Sequence, residues 1–599
     1  MGKNGGHLAS NLGVVELTIA LHRVFESPKD AFVWDVSHQS YAHKMLTGRY
    51  ESFFSLRKKG GLSGFTKRAE SSHDFFDAGH SSTSVSSALG LLTGRRLKNV
   101  EGKVVAVIGD GALTGGMAME ALSHGGQISK DLIVVLNDNQ MSIGKNTGSL
   151  SRYLSRLTMT SSYQSFRFNI DNFVEKLPVI NKVFSKFIFR FKRALKALFY
   201  SNNLFVELGF EYVGPLNGHN IDELEQVFHR VKKLNRPVVV HVVTKKGRGY
   251  SFAENDPATF HGIGPFCTSD GTVEKYDTMS FTEAFSSALM SVAEHDNRIV
   301  AITAAMAKGT GLSPFARKYP SRFFDVGIAE QHAVTFAGGL ATVGLIPVVA
   351  IYSTFMQRAV DQLIHDIALP AAHCVFILDR AGAVPDDGET HQGLFDIPLF
   401  RCVPNITILA PASANELSLF FQWAVSFKGP VVLRYPKTSC PSEQKEFSSP
   451  VEIGRGVLLT CQNFVPSEAL TLSENSKKIL LVCTGGIYPE VLAAARNLVL
   501  QGIHADIYNL RFIKPIDEEF FCELSKPYSF VVFVEEGIAT GGVSQFLQLV
   551  LMHHNPEKKS AICAFSDAFF AQGKRNEILE EAGLSPTKIV TTVKGLLEQ

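Results

Sequence analysis

The chain has 599 residues, enough for roughly three to four domains. Hydrophobic residues make up 45%, so large cores can form, and a formal net charge of +2 gives no argument for nucleic acid as a partner. The eight cysteines are scattered without a CxxC and no histidines cluster at zinc spacing. No apolar run reaches membrane-spanning length and no signal peptide is visible at Met1, so a cytoplasmic protein with reduced thiols and no membrane partner is expected.

The chain opens on Gly5-Gly6-His7-Leu8-Ala9-Ser10-Asn11-Leu12-Gly13. An apolar helix pattern runs from Val14 to Leu21, and Asn11 or Ser10 is placed to cap it. Phe32–Val36 reads as a buried strand with His38 just past it, and Gly79-His80-Ser81-Ser82-Thr83-Ser84 opens a further helix. His7, His38 and His80 each stand in a Gly/Ser-rich turn beside an element end. Such places suit phosphate contact and proton transfer; any one of these residues is also an ordinary hydrogen-bonded histidine on the plainer reading.

The most informative stretch runs from Val104 to Ile143. An apolar run, Val104–Ile108, ends in Gly109-Asp110-Gly111; helix formers follow from near Ala112; a second run, Ile133–Leu136, ends in Asn137-Asp138-Asn139. This is one βαβ unit of a parallel sheet, whose ligand sits beyond the carboxyl ends of the strands. Asp110 and Asn139 both fall there. Their hard oxygens suit Mg²⁺ or Ca²⁺, the glycines let backbone approach a phosphate, and a helix start offers it free N–H groups. A lone Gly-Asp-Gly is only a tight turn. Paired with a strand ending in Asn 29 positions later, it resembles the thiamine diphosphate motif.

Residues 149–203 break the pattern. Lys182–Tyr200 alternates basic and bulky apolar residues, which reads either as a membrane-surface helix or, preferably, as a solvated face in an excursion packed on its own protein, since no clean apolar stripe is kept. Val238–Val243 is a β-branched strand followed by Lys245-Lys246-Gly247-Arg248-Gly249, a turn that faces phosphate or is simply basic. His261 follows in Thr259-Phe260-His261-Gly262, and residues 263–278 lack periodicity and read as a linker.

A second α/β pattern starts near Phe281. Strands are expected at Ile299–Thr303, Val348–Tyr352, Val375–Leu378 and Val431–Leu433. Glu330 precedes a helix expected over Ala333–Ala341. The plain reading is a carboxylate stabilised by the helix dipole; the functional one buries it against a ring nitrogen. Phe355, Arg358, Arg380, Asp386, Asp387, His391 and Lys437 recur at strand ends, where an α/β active site forms. After a polar stretch near 441–477 a third unit begins, with strands at Lys478–Val482, Ala505–Leu510 and Phe530–Val534 and a helix over 489–501. It shows few clustered ionisable groups and reads as a packing and dimerisation domain.

The blocks GGHLASNLG, GHSSTS, GDGALTGGMA, NDNQMSI, VGIAEQHAVTFAGGLA, IYSTFMQRAVDQ, DRAG and DDGETHQG resemble, in order and over essentially the whole chain, the 1-deoxy-D-xylulose 5-phosphate synthase family. AEQHAVTFAGGLA and the Arg380 of DRAG favour it over the transketolases, its nearest relatives in architecture. The resemblance implies three successive α/β domains with mostly parallel sheets, transketolase-like: a diphosphate-binding domain over 1–275 with the excursion 149–203, a pyrimidine-binding domain over 276–450 and a C-terminal domain over 451–599, in a homodimer. It implies condensation of pyruvate with D-glyceraldehyde 3-phosphate to 1-deoxy-D-xylulose 5-phosphate and CO₂. That reaction begins non-mevalonate isoprenoid synthesis and feeds thiamine and pyridoxal synthesis. The alternatives are a transketolase-type two-carbon transfer or an inactive shortened paralogue.

Residue by residue, the resemblance implies Mg²⁺ on Asp110, Asn139 and the Met141 carbonyl, and diphosphate on Gly111 and Ala112. His38, Gly79, His80, Ser81 and Lys246 are further cofactor contacts. Glu330 would share a proton with the aminopyrimidine and Phe355 would stack on it. His7, His391 and Asp387 would move protons, and Tyr352, Arg358, Arg380, Lys437 and His261 would line the substrate site. Two departures stand out. The family carries a further segment before GGHLAS, so either a late-assigned start or a shortened protein is expected. It also commonly has Arg where this chain has Lys437, a point charge instead of a fork.

Overall fold

The computed structural model of the chain describes residues 1–139, 141, 149–159, 203–273, 278–466 and 477–598. These form two compact units, Met1–Leu56 with Gly64–Val273, and Arg57–Ser63 with Glu274–Gln599. The basic-apolar stretch Lys182–Tyr200 lies outside the described residues.

The first unit is built on five strands: β1 Ala31–Trp34, β2 Val104–Gly109, β3 Ile133–Asp138, β4 Glu211–Asn217 and β5 Val238–Val243. All pair in parallel, in the order β1-β2-β3-β5-β4. The β-branched runs explain this, because a parallel sheet is covered on both faces and its strands are apolar throughout. Alternation assigns the faces: Val104, Ala106 and Ile108 pack with helices Ser84–Leu97 and Gly116–Ile128, while Val105 and Val107 pack with Val15–Val24 and Ile221–Val231. Each fully buried Val or Ile here contributes about 1.5–3 kcal/mol relative to exposure. Strand β4 escaped the sequence reading because EYVGPLN carries Gly214-Pro215; it lies at the sheet edge, where proline is tolerated.

Four expectations change. Ser10 and Asn11 do not cap the following helix but lie inside a short one, Leu8–Leu12, and Val14 occupies the cap of Val15–Val24. The first buried strand stops at Trp34, since Val36 and Ser37 take positive φ. No α-helix starts at Ala112: a single 3₁₀ turn, Ala112–Thr114, is followed by extended Gly115, and the helix begins at Gly116. Residues 263–273 are also no loose linker, because Ile263 pairs with Gly6 and, with Phe266, is buried against Leu8, Ala9, Ala253 and Phe260.

The second unit holds two sheets. Strands β6 Ile299–Thr303, β7 Phe323–Asp325, β8 Ile346–Tyr352, β9 Val375–Asp379, β10 Thr407–Leu409 and β11 Val431–Tyr435 are followed by β12 Val457–Leu459, β13 Lys478–Cys483, β14 His504–Asn509, β15 Phe512–Lys514, β16 Phe530–Ile538 and β17 Lys559–Phe565. One sheet runs β15-β10-β11-β9-β8-β6-β7 and the other β12-β14-β13-β16-β17. All neighbours are parallel except the edge strands β15 and β12, which are antiparallel. The α/β class with mostly parallel sheets therefore holds in both units. The Glu330 helix starts at Glu330 itself and runs to Ala341.

Candidate active site

In the first unit the polar groups gather beyond the carboxyl ends of β2 and β3. Asp110 and Asp138 are both buried, and Asp110 N–H donates to the Asn137 carbonyl (3.1 Å). Burial first, and the Asp138 charge second, push the Asp110 carboxyl up to about 8, while Lys246, buried beside it, is drawn down to about 8 mainly by desolvation. Asp138 is tied back by His241 (Nε2 to Oδ2, 3.0 Å), whose Nδ1 meets the Tyr212 hydroxyl at 2.7 Å. Asn139 Oδ1 accepts from the Met141 N–H (3.1 Å), so two of the three predicted oxygen donors belong to one tight turn.

The loop opened by Gly79-His80-Ser81 is held from below by Asp35, which accepts from Ser82 N–H (2.8 Å) and Ser84 N–H (3.0 Å). Ser82 Oγ then donates to the Ala112 carbonyl (2.7 Å), joining this loop to Gly111-Ala112. His80 sits half-buried at its head. The rings that come into contact are His7, His38 and His261, with centroids 5.1–5.8 Å apart. Asn11 organises them: its Nδ2 donates to the carbonyls of His7 (2.8 Å) and His38 (2.6 Å), and its Oδ1 accepts from Tyr41 N–H. Desolvation, then Lys246 and the other two rings, hold the His261 imidazole well below its ordinary value, hence neutral.

In the second unit Glu330 is buried at the first turn of its helix. Burial raises its carboxyl, against the pull of Arg358. Phe355 stacks on Tyr352 (5.7 Å) and meets the His391 ring edge-on (5.5 Å). Arg380 lies over the Tyr352 ring, its Cζ 3.7 Å from the centroid, a cation–π contact. Its backbone takes φ +63°, a conformation rare outside glycine. Hydrogen bonds on both sides hold it there: Ala381 N–H to the Tyr435 carbonyl, and a reciprocal pair between Gly382 and Gly393. The neighbouring Arg380 charge, followed by desolvation, takes the Lys437 ammonium down to about 8. His391 falls to about 4 by burial, despite Asp387.

Sequence reasoning missed three supports. Arg57, from a segment with no motif, donates to Asp387 Oδ1 (2.8 Å) in a buried ion pair. Asp138 and His241 brace Asp110. Glu536 accepts from Ala383 N–H (2.8 Å) and pairs with Arg575, so the stretch after DRAG is anchored from β16. A Cβ on Gly382 would lie 2.4 Å from the Glu536 carboxylate, so only glycine fits. The C-terminal region was expected to carry few clustered ionisable groups. It instead buries Glu535, Glu536, Arg511 and Asp506, which the wide spacing in sequence conceals.

The donor set fits a hard divalent cation: a carboxylate, an amide oxygen and a backbone carbonyl are on Asp110, Asn139 and Met141, with no sulfur among the donor atoms. The profile described as 1-deoxy-D-xylulose-5-phosphate synthase matches residues 1–244. Those described as transketolase, pyrimidine binding domain, and transketolase, C-terminal domain, match 277–442 and 467–589. The 1-deoxy-D-xylulose-5-phosphate synthase of Treponema pallidum (strain Nichols) is 55% identical over 594 residues, 99% of this chain and 92% of that one. The chain belongs to the 1-deoxy-D-xylulose-5-phosphate synthase family. A second synthase, from Heliobacterium modesticaldum, is 46% identical across 100% of this chain and 90% of its own. Among solved structures, a transketolase from Campylobacter jejuni is similar at 17% identity and a TM-score of 0.44, covering 99% of this chain and 96% of that one.

Proposed function

We propose that the synthase-family reaction is run by two sets of residues. Asp110, Asn139 and the Met141 carbonyl would hold Mg²⁺, with Gly111, Ala112, His38, Gly79, His80, Ser81 and Lys246 around the diphosphate. Glu330 and Phe355 would hold the aminopyrimidine of thiamine diphosphate. The reaction is condensation of pyruvate with D-glyceraldehyde 3-phosphate to 1-deoxy-D-xylulose 5-phosphate and CO₂, the first step of isoprenoid precursor synthesis. Thiamine diphosphate, when bound, supplies the nucleophilic ring carbon and the electron sink for loss of CO₂. The observation that carries the residue assignment is Glu330: a carboxyl buried at a helix start, its proton affinity raised by desolvation, is suited to share a proton with a ring nitrogen.

The remaining residues position and neutralise. Arg380, over the Tyr352 ring, and Lys437, which feels its charge, are two cations that suit a phosphate, Arg380 as a fork and Lys437 as a point charge. His391 is neutral at working pH, so it can give or take a proton, and the Arg57–Asp387 pair sets the charge around it. Arg358, whose charge acts on Glu330, is read as lining the substrate site beside it. His7 and His261, in contact with His38, are read as proton-transfer and substrate groups of the first unit. The same reading takes the chain as a cytoplasmic homodimer divided near residues 275 and 450; no helix among the described residues is long and apolar enough to cross a membrane.

The test is ¹³CO₂ release from [1-¹³C]pyruvate with thiamine diphosphate and Mg²⁺, with and without glyceraldehyde 3-phosphate. Acceptor-dependent release with formation of a five-carbon ketose phosphate is expected. Turnover of xylulose 5-phosphate without CO₂ would instead mean transketolase chemistry.

A further inference from the structure

A second group of ligand atoms lies far along the chain from those assigned above, on the antiparallel edge of the last sheet. Strand β12 pairs with β14, and Cys461 begins the short helix just after β12 while His504 and Asp506 lie on β14. Cys461 Sγ, His504 Nε2 and an Asp506 carboxylate oxygen all lie within 4.8 Å of one another. Sγ is 4.0 Å from Nε2, and Nε2 is 3.1 Å from Oδ2. Cys461 and Asp506 are buried, and His504 forms the accessible side.

The direction of these contacts decides what the group can do. A nucleophilic triad needs thiol and carboxylate on opposite nitrogens of the imidazole, so that one orients the ring and the other gives up its proton. Here both address the same nitrogen, Nε2. No relay runs through the ring; three electron-pair donors converge on one point. Ligands of a tetrahedral ion at about 2.0–2.3 Å lie roughly 3.3–3.8 Å apart. The Sγ–Nε2 and Nε2–Oδ2 pairs, at 4.0 and 3.1 Å, need shifts of a few tenths of an ångström to close on one, and the sulfur–carboxylate pair, within 4.8 Å, closes by roughly 1 Å or less. The carboxylate is already oriented for it. Oδ1 accepts from the Cys461 N–H (2.7 Å) and Oδ2 from the Tyr528 hydroxyl (2.8 Å), the outer-shell bonding that fixes a ligating carboxylate.

We propose that Cys461, His504 and Asp506 form a site for a borderline-soft divalent ion such as zinc, with three protein ligands and one position left for water. One sulfur, one imidazole and one carboxylate match zinc, and the thiol excludes magnesium. Binding replaces the Cys461 S–H by S–metal and releases that proton to solvent, and the imidazole ligates as its Nδ1–H tautomer, the proton that Nε2 shares with Asp506 moving to Nδ1. The ion clips the helix start after β12 to β14, bracing the edge of the sheet.

Co²⁺ is the probe, titrated into the full chain with excess Mg²⁺ present to occupy hard-oxygen sites. A thiolate-to-cobalt charge-transfer band saturating at one equivalent is expected, bleached by Zn²⁺. Cys461→Ser abolishes the band, and Tyr528→Phe, which keeps every ligand, weakens binding about tenfold. Asp110, Asn139 and Met141 offer no thiolate, so an ion there yields no such band. Absence of the band, or a band unchanged in Cys461→Ser, overturns the proposal and leaves only a hydrogen-bonded cluster.

Discussion

At Glu330 a charge-bearing group sits where charge is costly. The carboxyl is buried and its proton affinity raised, and the charge that opposes this is Arg358. Glu330→Gln keeps size and polarity but removes the exchangeable proton. It is expected to lower kcat about 10²–10⁴-fold, the usual worth of a positioned proton-transfer group, while cofactor binding followed by circular dichroism survives. A variant with full kcat would remove Glu330 from the chemistry. Lys437 makes a different case. It already feels Arg380, and an ammonium binds phosphate at one point where a guanidinium binds at two. Lys437→Arg should lower the acceptor KM several-fold with the pyruvate KM unmoved; an unchanged acceptor KM would show that Lys437 does not face phosphate. Asp110, Glu330 and Arg380 were legible in the sequence because each stands at the end of a recognisable apolar run or motif. Arg57 was not legible in its role, since it meets Asp387 across 330 positions, and the contact of His261 with His7 and His38 appears only after folding.

Among the elements, the parallel strands were the easiest to read, since a strand covered on both faces is an unbroken apolar run. Val238–Val243 and Ile299–Thr303 fall where the sequence put them. The strands that escaped are edges or very short: β4 with its proline, β17 at the edge of the last sheet, and the three-residue β7, β10, β12 and β15, too short for periodicity to show. The turn into β15 is held by Arg511. Its Nε donates to Glu416 (2.7 Å), on the helix Ala414–Ser426, and its Nη groups donate to the carbonyls of Phe447, Ser449 and Pro450. Both side chains are nearly without solvent. Removing one partner leaves an uncompensated buried charge, so Glu416→Ala should cost about 3–5 kcal/mol. The double variant Glu416→Met with Arg511→Met should cost less than Glu416→Ala alone. Denaturant titration of the three proteins decides it. Equal losses would mean that the carbonyls, not the ion pair, carry the energy.

Across the whole molecule the chain folds around separate cores. Val104, Ile108, Leu122 and Val135 belong to clusters of the first unit, and Ala301, Val348, Ile377 and Leu481 belong to clusters of the second. A chain built this way need not unfold in one step. A ligand that addresses one core raises that core's transition by RT ln(1 + [L]/Kd), about 2.7 kcal/mol at one hundred times Kd. Mg²⁺ with pyrophosphate is the discriminating ligand, because it carries the diphosphate chemistry without the aminopyrimidine. Calorimetry is expected to show the transition of the first unit rising and that of the second standing still, with the rise lost in Asp110→Asn and kept in Glu330→Gln. The sign with pH follows from Asp110. Its carboxyl, raised to about 8 by burial and by Asp138, must shed its proton before it ligates a cation. The rise therefore grows as pH climbs toward about 8 and shrinks as pH falls below it. A rise that grows on acidification, or one confined to the second unit, would assign the anion to a different set of residues.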